Sequence, residues 1–214
     1  MMKSIRFWCR LAGVAAGLAG IIANIIFQGA LAKALAYYTL QSNVLAVLVM
    51  MLLLVAKEPL PRLIKRLKLA ACGGILITFI VYHAILYPLV ISSGEIDYPF
   101  WFDFPVHTFF PLLVLGDFLL FDREVRLEWR DAPWILALPA FYLIFVEVYV
   151  ALDGSFFFDG TESRYPYFFL NRELLGNGIV ALLILALAVL ALSLGFGLVA
   201  IDRKLALRKA GKLE

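Results

Sequence analysis

The chain has 214 residues, of which 64% are apolar and only 16% are charged. Soluble domains contain about 45–50% apolar and about 25% charged residues, so this composition excludes an ordinary soluble protein. The mean hydropathy of +0.93 instead predicts a membrane protein with several spans. At roughly 20 residues per span, residues 1–214 accommodate six helices with short loops as a single domain.

The charge and cysteine content argue against several kinds of partner. The formal net charge is +3, but no basic stretch is interleaved with aromatic residues, so a nucleic-acid partner is not expected. Cys9 and Cys72 alone make no metal framework. We therefore expect no metal, no cofactor and no obligate protein partner, and membrane lipids as the surroundings.

Six apolar segments follow one another along the chain, separated by stretches rich in charges and helix breakers. They are Leu11–Ala30, Leu35–Ala56, Leu69–Ile91, Trp101–Phe121, Pro133–Leu152 and Glu173–Ile201. The sequence therefore predicts an all-α membrane protein, a bundle of six transmembrane helices. Within the first segment, Gly13-x-x-x-Gly17 and Gly20 are typical of a face where helices pack closely.

The basic residues predict the orientation. All but Lys33, Arg164 and Arg172 lie before the first segment, after the last, or in the second and fourth loops. Because positive residues favour the cytoplasmic side, both termini are predicted to be cytoplasmic. We call the opposite, extracytoplasmic side the outer side.

Polar residues within the segments gather near the predicted outer end. At 1.5 Å per helical residue, Thr39 lies ~6 Å and His107 ~9 Å from that end. Glu147 lies ~8 Å and His83 ~12 Å from it by the same rise. The same outer third contains Asn24, Gln41, Asn43, Asp103 and Asn177, whereas the inner halves are nearly all aliphatic. Since isolated polar groups in hydrocarbon are costly, a layer of them predicts a pocket.

The chemistry of this layer centres on a hydroxyl and an imidazole. Thr39 and His107 are the minimum parts of a nucleophile and base pair. Asp103 lies four residues before His107 on the same helical face and is expected to orient its ring. Pro105 and Pro111 flank the histidine and are expected to distort its helix.

Structural roles are the alternative for several of these residues. A membrane threonine such as Thr39 often only bonds a backbone carbonyl, and His83 often only links helices. For Asp103 the alternative is a solvated interfacial carboxylate. Glu147 needs a partner, for which Arg172 is the candidate. Asp117, near the inner end, is expected to pair with loop cations such as Arg123.

Five motifs give the chain a family resemblance. They are Tyr38-Thr39…Gln41-Ser42-Asn43, His107-Thr108…Pro111, Asp117-Phe118-Leu119-Leu120-Phe121, Trp129-Arg130-Asp131 and Tyr165-Pro166-Tyr167…Phe169-Leu170-Asn171. With these the chain resembles bacterial six-span integral membrane proteins related to the eukaryotic androgen-induced transmembrane proteins. Those eukaryotic members are threonine hydrolases that cleave fatty acid esters of hydroxy fatty acids. The resemblance implies that Thr39 and His107 are catalytic and that the protein lies in a bacterial inner membrane.

The leading hypothesis is therefore an intramembrane lipid-ester hydrolase. Asn43 or Ser42 would donate to the oxyanion, and Gln41, Asp103, His83 and Glu147 would complete the polar pocket. The lipid tail would lie among the aromatic residues Phe79, Tyr82, Phe109 and Phe110.

Two alternatives remain open. One is a membrane protein that binds or transports a lipid or small molecule in the same pocket without covalent chemistry. The other is a zinc hydrolase of the ceramidase kind, in which Asp103 or Glu147 would join the two histidines to give three ligands.

Overall fold

The computed structural model describes residues 2–57, 59–89, 100–121, 126–158 and 161–210. Six helices in these ranges are long and apolar enough to cross a membrane, which confirms an all-α, multi-pass membrane protein. In chain order, spans 1 to 6 are Lys3–Gln28, Tyr38–Val55, Arg62–Leu89, Phe100–Leu120, Trp129–Ala151 and Arg172–Leu207.

The spans are built from several kinds of helix. The α-helices are α1 (Met2–Gln28), α2 (Leu31–Leu35), α3 (Tyr38–Val55), α4 (Arg62–Val81), α5 (Phe100–Phe104), α6 (Phe110–Leu120), α7 (Ala137–Ala151) and α8 (Arg172–Ala210). Two π-helical turns, Tyr82–Leu86 and Pro105–Phe109, interrupt spans 3 and 4. Span 5 begins with a 3-10 helix, Trp129–Leu136, and a shorter 3-10 helix covers Phe168–Leu170.

A small antiparallel sheet lies in the connection between spans 5 and 6. Its strands are β1 (Phe156–Phe158) and β2 (Thr161–Ser163), with Phe157 opposite Glu162. The sequence analysis did not predict this hairpin.

Spans 1 and 3 begin before the apolar segments that predicted them, whereas span 2, Tyr38–Val55, is shorter than its segment Leu35–Ala56. Span 1 begins at Lys3 instead of Leu11, and span 3 begins at Arg62 instead of Leu69. Hydropathy marks only the apolar part of a helix, while its backbone hydrogen bonds continue into the charged flank. The predicted end of the third segment, Ile91, lies outside the described residues.

Small residues bring span 1 close to its neighbours. A Cβ on Gly17 would lie 2.5 Å from Val47 and 2.7 Å from Phe110, so only glycine fits without rearrangement. A Cβ on Gly20 would lie 3.1 Å from Pro105 and Val106, next to the π-turn of span 4. The predicted packing face on span 1 is thereby confirmed, and it contacts spans 2 and 4.

Span 3 is central and span 6 is peripheral. Of the most apolar window of each span, 67% is buried in span 3 but only 17% in span 6. Span 3 packs against spans 2, 4, 5 and 6. This arrangement leaves most of span 6 to be covered by lipid.

A buried cluster of charges lies at the opposite end of the bundle from Thr39. It contains Arg10, Lys65, Lys68, Asp117, Asp131 and Asp202, and we call it the ionic cluster. Asp117 accepts from Arg10 Nε at 2.7 Å and from Lys68 Nζ at 2.6 Å.

The other two carboxylates of the ionic cluster are also paired. Asp202 accepts from Lys65 Nζ at 3.2 Å and from the backbone N–H of Leu127 at 2.9 Å. Asp131 accepts from Arg66 Nε at 2.7 Å. Of this cluster only Asp117 lies within a predicted apolar segment, and the other five residues lie in the charged flanks just outside the segments. Arg123, the expected partner of Asp117, lies outside the described residues.

Candidate active site

Thr39 is the second residue of α3, where the chain turns from an extended residue, Tyr37, into a helix. The first N–H groups of a helix have no intrahelical acceptor. The side chain of the N-cap residue Tyr37 makes no capping hydrogen bond. The backbone of Tyr38 and Thr39 instead hydrogen-bonds to the Tyr167 side chain, so the half-buried Thr39 hydroxyl lies beside Tyr167 at the positive end of a helix dipole.

His107 lies in the π-turn Pro105–Phe109 of span 4. Pro105 has no N–H to donate, and the N–H of Phe110 bonds to the Pro105 carbonyl five residues earlier. This confirms the expected distortion, and π-turns of this kind are frequent at functional sites. The turn places the buried imidazole so that its Nε2 lies 3.3 Å from Thr39 Oγ1.

Asp103 fixes the orientation of the imidazole. Its Oδ1 lies 2.9 Å from His107 Nδ1, and its backbone carbonyl lies 3.1 Å from the same nitrogen. Because two acceptors face Nδ1, that nitrogen carries the proton and Nε2 accepts from Thr39. Asp103 and His107 thus make the contact that their four-residue spacing predicted.

Tyr82 holds this arrangement from the other side. Its hydroxyl donates to Asp103 Oδ2, and its ring stacks on His107 with centroids 3.9 Å apart and planes 12° apart. The sequence analysis placed Tyr82 against the lipid tail. The structure places it behind the histidine, which gives a relay of four side chains: Tyr82, Asp103, His107 and Thr39.

Asn43 and Ser42 hold the backbone around the threonine. Asn43 Nδ2 donates to the carbonyls of Thr39 at 2.8 Å and of Val106 at 3.1 Å, so it joins spans 2 and 4 beside both reactive groups. Ser42 Oγ donates to the Thr39 carbonyl at 2.9 Å and lies 2.7 Å from Thr78 Oγ1. Since these donors are bonded to backbone carbonyls, they are not placed to donate to an oxyanion as the sequence predicted, and other groups must do so.

Three further predicted residues lie away from the Thr39–His107 contact. Gln41 Nε2 donates to the Leu35 carbonyl at 2.9 Å. His83 is exposed, and its Nε2 lies 3.0 Å from Thr108 Oγ1. This contact links spans 3 and 4, which is the structural role given above as the alternative for His83. Glu147 is exposed and forms the predicted ion pair with Arg172.

A cavity of about 230 Å³ is lined by Thr39 but not by His107. Its walls are almost entirely apolar and come from spans 2, 3, 5 and 6 and from the connection before span 6. The aromatic residues expected around a lipid tail do not line it. Phe110 is buried against Gly17, Phe109 is exposed, and Phe79 packs on His83.

Tyr167 is a site residue to which the sequence analysis assigned no role. It lines the cavity together with Thr39. Burial raises the pKa of the Tyr167 phenol to about 12, and hydrogen bonding to the side chain and backbone of Thr39 opposes this shift. The phenol therefore keeps its proton at neutral pH and is a donor next to the nucleophile. Its only sequence signal was membership of the Tyr165-Pro166-Tyr167 motif.

The remaining hydroxyl groups of the cavity are engaged in fixed contacts. Tyr38 donates to the Gly74 carbonyl at 3.2 Å, and Tyr142 donates to the Ala36 carbonyl at 3.1 Å. Thr78 contacts Ser42. Thr39 and Tyr167 also line the cavity, and their side chains are hydrogen-bonded to each other.

Within the described ranges, no group of three or more His, Cys, Asp or Glu side chains is placed to hold a metal ion. Comparison of the chain with protein-family models, curated proteins and solved structures finds no match.

Proposed function

We propose that the protein is a threonine-dependent carboxylic ester hydrolase that acts on lipids within the membrane. The observation that carries the proposal is the contact of 3.3 Å between Thr39 Oγ1 and His107 Nε2, at the edge of an apolar cavity. This distance is at the long end for a hydrogen bond, as is common in free enzymes whose contacts tighten on substrate binding. A separation beyond ~8 Å would instead have favoured a binding protein, because a base must reach its proton directly or through one water.

The first half of the reaction acylates the threonine. Thr39 Oγ attacks the ester carbonyl carbon while His107 Nε2 takes the hydroxyl proton. Asp103 stabilises the imidazolium through Nδ1. The tetrahedral intermediate then collapses: the bond to the alcohol oxygen breaks, and His107 returns its proton to that leaving group.

The second half releases the acid. Water gives a proton to His107 and attacks the acyl-threonine carbonyl. The bond to Thr39 Oγ breaks, and the proton on His107 restores the threonine hydroxyl. The net reaction consumes one ester and one water and forms one carboxylic acid and one alcohol.

The negative charge of both intermediates needs donors close to Thr39. The phenol of Tyr167 lies there with its proton and is hydrogen-bonded to the side chain and backbone of Thr39. Donors fixed in advance around a developing oxyanion are usually the largest electrostatic contribution to such reactions. We assign the oxyanion site to Tyr167.

The proposed substrates are fatty acid esters of hydroxy fatty acids or similar lipid esters, which the family resemblance implies and the apolar cavity suits. The proposed location is the cell membrane, as a bacterial inner-membrane protein, with the reaction near the extracytoplasmic face.

Hydrolysis by purified protein in lipid nanodiscs tests this function. We expect release of free fatty acid from an ester of a hydroxy fatty acid by the wild-type protein and by Thr39→Ser, which keeps a hydroxyl. We expect none from Thr39→Ala. Equal hydrolysis by wild-type protein and Thr39→Ala would refute the proposal.

The alternative is a non-enzymatic protein that binds or transports a lipid or small molecule in the same cavity. The apolar walls favour it as much as they favour an enzyme. It predicts the same ligand affinity for wild-type protein, Thr39→Ser and Thr39→Ala, and no covalent acyl-protein by mass spectrometry. In that alternative no chemical step requires the Tyr82–Asp103–His107–Thr39 relay.

A further inference from the structure

Spans 5 and 6, two of those that line the cavity beside Thr39, make their main contact at one end, where span 6 packs against the 3-10 helix Trp129–Leu136 of span 5. Near that end, a Cβ on Gly195 of span 6 would lie 2.6 Å from the carbonyl oxygen of Ala132 in span 5. The cavity-lining residues of span 6, 184–188, lie 7 to 11 residues before this contact, which is roughly 10–16 Å along the helix. There the two helices face each other across the cavity.

The rim of the cavity between these spans is open to the exterior. Ala140 of span 5 lines the cavity and is exposed, while Leu143 of span 5 and Leu187 of span 6 line it and are half-buried. Residues further round each helix, such as Ile144 and Leu185, are 65% and 61% exposed. For a spanning helix, an exposed face of this kind contacts hydrocarbon and not water.

We infer that the acyl chain of the substrate enters sideways from the bilayer, between spans 5 and 6, and occupies this cavity with its ester group at Thr39. The inference deepens and rests on the proposed hydrolase function. It names the substrate class: a lipid that stays in the membrane while it binds. A water-soluble ester would need a polar entrance instead.

Size and polarity both fit one hydrocarbon chain. A volume of 230 Å³ is larger than the roughly 150 Å³ of an engineered apolar cavity that binds benzene. The cavity thus has room for an apolar group larger than benzene, such as part of an acyl chain. The polar groups facing it, Thr39 and Tyr167, lie where the reacting carbonyl of such a chain would end.

Photocrosslinking in the Thr39→Ala protein tests the entry route without requiring hydrolysis. The probe is a fatty acid ester of a hydroxy fatty acid whose acyl chain carries a diazirine, incorporated into nanodiscs. We expect the adducts to map to residues 139–143 of span 5 and 184–188 of span 6. Adducts confined to Phe79 or Phe109, which do not line the cavity, would overturn the inference. The absence of any adduct on correctly folded protein would overturn it as well.

Two tryptophan substitutions on one helix turn provide the matched control. Ala188 lines the cavity, whereas Ala186 is exposed on the outward face of span 6. Ala188→Trp should lower crosslinking by about tenfold or more, because the indole fills the space that the chain needs. Ala186→Trp should leave it unchanged.

Equal effects of the two variants would contradict the inference. If Ala188→Trp does not fold, Ala140→Trp on span 5 replaces it. The crosslinking measures binding in a protein that lacks the nucleophile, whereas the hydrolase proposal is tested by hydrolysis in the wild-type protein. Each proposal can therefore fail while the other holds.

Discussion

The bundle has two polar regions, and they are built in opposite ways. In the ionic cluster the three buried carboxylates accept from basic side chains of other helices. Around Thr39 the polar groups are a hydroxyl, an imidazole and a phenol beside an apolar cavity. Among the described residues, Asp103 is the carboxylate that contacts the imidazole, and it is held by Tyr82.

The difference separates groups that hold the helices together from groups that are available for chemistry. Removing one partner of a buried ion pair leaves a charge without compensation and is strongly destabilising. Removing the Thr39 hydroxyl, which lines the cavity, or replacing the His107 imidazole with a polar side chain of similar size changes little in the packing. We therefore expect substitutions at the ionic cluster to lower stability and substitutions around Thr39 to lower activity.

The largest expected effect is on catalysis by the base. His107→Gln should lower the hydrolysis rate by about 10⁴-fold, because the nucleophile loses its proton acceptor. Thermal unfolding in detergent should change little. The other histidine provides the control: His83→Gln should keep its activity, since His83 contacts Thr108 and not Thr39. Equal losses from the two variants would contradict the assignment of the base.

The next largest effect is on stability at the ionic cluster. Asp117→Ala leaves Arg10 and Lys68 without their shared carboxylate and should cost about 3–5 kcal/mol of unfolding free energy. Denaturant unfolding in detergent measures this cost. Glu173→Ala, which removes an exposed ion pair with Arg164, should cost at most about 1 kcal/mol. If the Asp117→Ala protein is as stable as the Glu173→Ala protein, the ionic cluster does not stabilise the bundle as we propose.

A smaller effect is expected at the proposed oxyanion site. Tyr167→Phe removes one donor but keeps the ring, and should lower kcat by about 10²-fold with little change in KM. Tyr165→Phe, two residues away in the same motif, is the matched control and should leave kcat unchanged. If Tyr167→Phe raises KM alone, the phenol binds the substrate but does not stabilise the intermediates.

The smallest effect is expected from the end of the relay. Tyr82→Phe keeps the stacking on His107 but removes the hydrogen bond to Asp103. A hydrogen bond to a charged group contributes about 1.5–3 kcal/mol, so we expect a loss of roughly ten- to a hundredfold in kcat. Tyr87→Phe, at an exposed position beside Tyr82, serves as the control. No loss at Tyr82 would show that Asp103 orients His107 without help.

The sequence predicted what depends on local pattern. Hydropathy located the six spans, and the four-residue spacing of Asp103 and His107 predicted their contact on one helical face. The glycine spacing of span 1 predicted its close packing. Depth in the membrane placed Thr39 and His107 in one layer, but only the family resemblance singled them out as a pair.

What the sequence could not predict depends on which helices become neighbours. The ionic cluster joins residues as distant as Lys65 and Asp202, and hydropathy had treated the basic residues as loop. The cavity arises because spans 5 and 6 face each other across it, a feature with no signal in either segment alone. Tyr167 could be recognised only once its loop was placed against Thr39.

The central claim is that the hydroxyl of Thr39 is the nucleophile, and covalent labelling tests it most directly. Purified protein in nanodiscs is treated with a fluorophosphonate bearing an alkyl chain, digested, and mapped by mass spectrometry. We predict one adduct on Thr39, lost in His107→Gln and retained in His83→Gln. An adduct on another residue, or no adduct on a protein that hydrolyses lipid esters, would contradict the account.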